Sequence, residues 1–126
     1  MTALSGVPVI RCHYCGDLAD TRDHIRPRSQ TSHGAQSQIP TVPACRDCNC
    51  RILNRLPLYT DVERGVRVAA VLGGRLLRMG PPKWTEEEAE SELRGNLKRK
   101  ILGSIRKYQR LKARVDWASR WVRGDA

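Results

Sequence analysis

The 126-residue chain carries 23 Lys and Arg against 13 Asp and Glu, a formal charge of +10, with five Cys and no Phe. A chain this short has room for one compact domain and little apolar bulk, so a metal is expected to supplement its N-terminal core. No apolar run of about 18 residues and no signal-like N-terminus is present, which argues against a membrane partner and points to a soluble protein of the cytoplasm, where thiols stay reduced.

In chain order, the first informative element is Cys12-x-x-Cys15, matched further on by Cys45-x-x-Cys48. Each spacing lets two sulfurs reach one ion from a tight turn, and four thiolates in two pairs can surround a structural Zn²⁺ tetrahedrally. A disulfide or unrelated cysteines are the competing readings. Cys50 lies outside the pattern and reads as a small buried residue or a free thiol, while His13 could replace a sulfur. Four coordinated thiolates and Zn²⁺ contribute a net −2, which would leave the chain at about +8.

Between the pairs, a two-strand hairpin is expected to carry Asp23-His24. The Asp23 carboxylate and the Asn49 amide oxygen suit a hard ion such as Mg²⁺, and His24 can accept a proton from water near neutral pH. Neighbouring strand residues face opposite ways, so Asp23 and His24 need a twist or bulge to serve one centre. Arg22, Arg26 and Arg28 could neutralise phosphates or simply balance surface charge. The Ser-, Gln- and Gly-rich stretch from Ser29 to Gln38, which includes His33, reads as a surface loop.

A short helix is expected from about Asp47 to Leu56, and the organisation changes near Pro57. Thr60-x-x-Glu63 is a capping box opening a helix to roughly Leu72, with Val62, Val66, Ala69 and Ala70 facing inward. Gly73-Gly74 should end or interrupt it, Pro81-Pro82 imposes a break, and Thr85-x-x-Glu88 is a second capping box. Leu97, Ile101, Ile105, Tyr108, Leu111 and Val115 recur as one buried stripe of a long helix, which Gly95-Asn96 could split. Trp117 and Trp121 should cover its core end. Between Arg94 and Arg114 stand nine Lys or Arg and no Asp or Glu. Such a face, including Lys98, Arg99, Lys100, Arg106 and Lys107, could follow a phosphate backbone or could serve only as a solvated surface.

Thr21 to Ser29, with Asp-His-Ile-Arg-Pro at its centre, and Pro43 to Asn49, with Cys-x-x-Cys-Asn at its end, together resemble the HNH, or ββα-metal, nuclease family, over roughly Arg11 to Pro57. The ending is similar to that of phage recombination nucleases acting on branched DNA and of other small phage HNH proteins. The resemblance implies an α+β fold with a zinc-stapled, treble-clef-like ββα-metal module at 1–58; the basic helical extension at 59–126 is read as the DNA-binding part and as a surface for a homodimer, since one such centre cuts one strand. The resemblance implies a DNA endonuclease, a phosphodiester hydrolase with His24 as general base and Asp23 and Asn49 holding Mg²⁺ or Mn²⁺, leaving a 5′-phosphate and a 3′-hydroxyl. It also places the chain in a bacterial or phage-infected cell. The family's middle Asn is absent, Ile39 and Pro40 standing there, so Ser37, Gln38 or a backbone carbonyl would have to orient His24. The alternative is a non-catalytic, zinc-containing module for DNA binding or for phage packaging and assembly.

Overall fold

A computed structural model describes residues 9–25 and 40–125, in the order β1 (Thr21–His24), β2 (Thr41–Ala44), a π-helical turn (Asp47–Ile52), α1 (Asp61–Met79), α2 (Glu86–Glu92) and α3 (Gly95–Arg123). The architecture is a small α+β fold whose two-stranded antiparallel sheet is followed by helices. Thr21 pairs with Ala44 and His24 with Thr41, the four residue pairs being consecutive. The ladder therefore has no bulge to turn Asp23 and His24 to one side. Arg26, Arg28 and the expected loop from Ser29 to Gln38 lie outside the described residues.

Cysteine sulfurs and helices share one core. Cys12, Cys15, Cys45 and Cys48 are buried with Tyr14, Ile52 and Leu53, against Val68 and Leu72 of α1 and Leu111, Ala118 and Trp121 of α3. Gly65 of α1 lies at Trp121 of α3, while Arg75 and Arg114 of the same helices meet at Asp47, so the two helices run antiparallel. A smaller cluster, Ala89, Leu102 and Ile105 with Trp84, Leu93 and Ile101 beside it, docks α2 on the first half of α3.

Both threonines cap helices where expected, the second in a full capping box. The Thr60 hydroxyl accepts from the Glu63 amide at 3.1 Å, and Thr85 and Glu88 exchange both hydrogen bonds of a full box. The other boundaries move. Gly73 and Gly74 are helical, because each costs only about 1 kcal/mol relative to Ala and the packed Leu72 and Leu76 outweigh that. The stop comes instead at Gly80, whose φ of 69° ends α1 ahead of Pro81-Pro82. Gly95 begins α3 and does not split it. After the second cysteine pair the chain closes a wider turn, Leu53 donating to the Cys48 carbonyl five residues back, and the regular winding stops at Ile52, short of Leu56.

The inward face of α1 is rotated from the expected one. Val62 and Val66 are exposed, and Arg64, Gly65, Val68 and Leu72 are buried. Two local needs set this phase: Arg64 must reach β1, and Gly65 lets the Trp121 indole lie against the backbone. On α3, Ile105 and Leu111 are buried as expected, but Leu97 sits exposed on the first turn while Leu102, Ala118 and Trp121 complete the core.

A Cβ at Gly65 would overlap the Trp121 ring, whereas one at Gly73 would meet nothing within 4 Å. Gly65→Ala should therefore destabilise by about 1–3 kcal/mol through overpacking despite the better helix former. Gly73→Ala should be neutral or stabilising by up to about 1 kcal/mol. Urea midpoints of both variants check the contrast.

Candidate metal centre

The sulfurs are brought together by two turns at the same end of the sheet, one leading into Thr21 and the other leaving its partner Ala44. In the first, Gly16 donates to the Cys12 carbonyl at 2.9 Å and takes φ +76°, the left-handed conformation that favours glycine. In the second, the Cys48 amide points at the Cys45 sulfur, 3.4 Å away. All four Sγ atoms lie within 4.8 Å of one another and all four residues are buried. Sulfurs about 2.3 Å from a shared tetrahedral centre stand about 3.8 Å apart. The Cys15 and Cys45 sulfurs are 3.7 Å apart, so the cluster fits a structural zinc site. The Cys12 thiol is pulled down to about 7, first by its hydrogen bond with Cys15, while hydrogen bonds from Cys12, Cys15 and Cys45 push Cys48 up. Metal binding to such a cluster displaces the thiol protons. His13 is not a fifth candidate ligand: its Nε2 lies 3.2 Å from Asp61 and its ring packs edge-on to Trp121. Cys50 is exposed and unbridged.

Arg114, from the middle of α3, closes the cluster from outside. Its Nε donates to the Cys15 sulfur at 3.2 Å, and its Nη2 reaches Cys48 at 3.6 Å and Cys45 at 3.8 Å. The same Nη2 donates to Asp47 Oδ2 at 2.8 Å, and Arg75 of α1 donates to that oxygen at 2.7 Å and to Oδ1 at 3.3 Å. Burial opposes the Asp47 charge, but hydrogen bonds from Arg75 and Arg114 outweigh it and hold the carboxyl below its ordinary range. A metal tetrathiolate carries net negative charge, and a guanidinium donating to its sulfurs offsets that charge and orients the ligands. Sequence reasoning assigned Arg114 to a DNA-facing run, since nothing local distinguishes it from its neighbours.

The expected hydrolytic centre is corrected by this geometry. Asp23, His24 and Asn49 do line a common cavity of about 400 Å³ with Leu53, Asn54 and Arg64. Asp23, however, is 3% exposed and forms a bidentate pair with Arg64, both N–O distances being 2.7 Å, and it also accepts from the Tyr14 hydroxyl. Three hydrogen bonds hold its two oxygens, and the fixed guanidinium beside them repels a divalent cation. The Asn49 amide nitrogen donates to Thr21 and to the Arg22 carbonyl, which ties the π-helical turn to β1. Among the described residues, the metal-holding group is the all-cysteine one and contains neither Asp nor His. The reading as a hydrolase, a Mg²⁺- or Mn²⁺-dependent endonuclease with His24 as base, is overturned on that ground, and the phage-like attribution, which rested on the resemblance, goes with it.

The basic run is also less free than its sequence implies. Lys98 pairs with Glu90 at 2.9 Å, Arg106 lies 3.9 Å from Glu86, Arg110 pairs with Asp17 at 2.7 Å and Lys112 with Asp116 at 3.2 Å. The acidic groups missing inside the run are supplied mainly by α2 and the first knuckle. Arg99, Lys100 and Lys107 are exposed and have no carboxylate within 4.0 Å among the described residues. Arg22 lies on the outer face of β1, its Nε donating to the Thr41 hydroxyl at 2.9 Å. Among the described residues, no helix is long and apolar enough to cross a membrane.

Set against known protein families, curated proteins and solved structures, the chain matches none of them. What stands of the resemblance is a small α+β domain with a four-cysteine cluster able to hold a metal ion.

Two variants test these contacts. Arg64→Met should cost about 3–5 kcal/mol by leaving Asp23 buried and uncompensated, and Asp23→Ala with Arg64→Met should cost less than Arg64→Met alone, since no lone charge remains. Denaturant titration of the three proteins measures this. Arg114→Gln should keep the four ligands yet lower zinc affinity by about 10–100-fold, read by competition with a chelating dye.

Proposed function

We propose that the chain is a zinc-stapled DNA-binding module that acts without cutting. The observation that carries the reading is the closed four-sulfur cluster: four thiolates complete a zinc coordination sphere and leave no position for water or substrate, as structural sites do. The metal on this reading holds the two knuckles, the hairpin and the π-helical turn together. Arg114 makes the same centre an anchor for α3, so that the helix presenting Arg99, Lys100 and Lys107 is held rigidly. A chain of net charge +10 with unpaired cations on a fixed helix attracts a polyanion, and its contacts are to phosphates, which position a protein without reading sequence.

Purified protein should hold one zinc per chain and bind DNA with an affinity that falls linearly in log–log form with salt. Removing the zinc with a chelator should abolish binding together with the near-UV signal of the buried Trp121, because the metal holds the frame on which the cations sit. Fluorescence anisotropy of labelled duplexes across a salt series, with parallel metal analysis, measures both. Folded, zinc-loaded protein that binds no DNA at low salt would exclude this function.

A further inference from the structure

We infer that the phosphate backbone of duplex DNA docks in the cleft between the second knuckle, the C-terminal end of α1 and the middle of α3. The inference rests on the DNA-binding reading and gives it a surface. The cleft has a volume of about 710 Å³. Seven cations line it, and four of them stand at its rim from three separate segments: Arg46 and Arg51 beside the second cysteine pair, Arg78 near the end of α1, and Lys107 on α3. All four are exposed. Arg46, Arg78 and Lys107 have no carboxylate within 4.0 Å among the described residues, and Arg51 reaches Asp47 only at 4.0 Å.

The other charges of the cleft are already committed. Arg75 and Arg114 hold Asp47, and Arg110 holds Asp17. Asp20 accepts the Arg46 amide at 3.0 Å and is the one lining carboxylate without a cationic partner among the described residues. Four rim cations therefore face one free carboxylate. The wall also includes Cys45, and a zinc tetrathiolate behind it would repel a small anion pushed to the floor. Free cations at the rim over a compensated floor suit an extended polyanion that spans the opening better than a compact one that enters it. Three of the four are arginines, whose planar forks match phosphate oxygens, and the apolar walls of Leu18, Met79 and Leu111 concentrate the field above them. Lys107 joins this surface to Arg99 and Lys100 on the same helix. Arg46, Arg51 and Arg78 have no counterpart in the single-sign run of α3, and only the packing of α1 and α3 on the knuckle gathers them.

The test compares two triple variants of the full, zinc-loaded chain on a short labelled DNA duplex over a salt series. Arg46→Gln, Arg51→Gln and Arg78→Gln together should flatten the log–log salt slope by about 2–3 units. Arg67→Gln, Lys83→Gln and Arg123→Gln, an equal charge change away from the cleft, should flatten it by less than about 1. Zinc content and circular dichroism show that both variants are folded. If the cleft variant keeps the wild-type slope while Arg99→Gln with Lys100→Gln flattens it, DNA binding stands and the cleft is the wrong surface. If wild type binds no duplex at any salt, the DNA-binding reading itself falls. If polyglutamate displaces the duplex as well as unlabelled DNA does at equal charge, the cleft is a general polyanion surface and the phosphate assignment is overturned.

Discussion

The side chain of Arg114 ties together through polar contacts three parts of the molecule that also share the hydrophobic core. It donates to the sulfurs of both knuckles, to Asp47 at the start of the π-helical turn, and through Asp47 it meets Arg75 of α1. Four thiolates around a divalent ion leave a net negative charge, which cannot sit in an apolar core without a cation. Meeting that need with a residue of α3 makes the long helix part of the metal centre's environment, and the buried face that runs from Val68 to Trp121 closes over the same point.

A second buried charge pair repeats the logic on the sheet side. Asp23 and Arg64 are joined by two 2.7 Å hydrogen bonds across 41 residues of sequence, and Arg64 also donates to the Leu58 carbonyl at 2.9 Å. One pair thus fixes β1, the connection into α1 and the rotation of α1 about its axis. The rotation explains why Val62 and Val66 face solvent, and why Gly65 has to be a glycine where Trp121 crosses. A carboxylate that does this work is not available to a magnesium ion, however well its place beside a histidine suits one in the sequence.

Charge partitioning also shapes the surface. The acidic α2 lies by the basic first half of α3, and Asp17 and Asp47 take up Arg110 and Arg114, so much of the single-sign run within α3 is neutralised by the fold around it. The cations left over include Arg99, Lys100 and Lys107 of the run, but also Arg46 and Arg78, which a helical run alone does not single out. Arg46, Arg78 and Lys107 gather where the knuckle, α1 and α3 converge, which is a property of the packing and not of any one segment.

Local rules were enough for much of the chain. Two Cys-x-x-Cys spacings determined the ligand set, because each pair needs only one tight turn. Thr60 and Thr85 determined two helix starts, because a side-chain N-cap is made within four residues, and the apolar recurrence of Ile105 and Leu111 marked the buried side of α3. Tertiary structure alone decided what each charged group faces. Whether Asp23 meets a metal or a guanidinium, and whether Arg114 meets a phosphate or a sulfur, depends on residues 41 and 66 to 99 positions away. Spacing specifies which side chains can act together within a turn, whereas a buried charge is assigned its partner only when distant segments pack and exclude the water that would otherwise have solvated it.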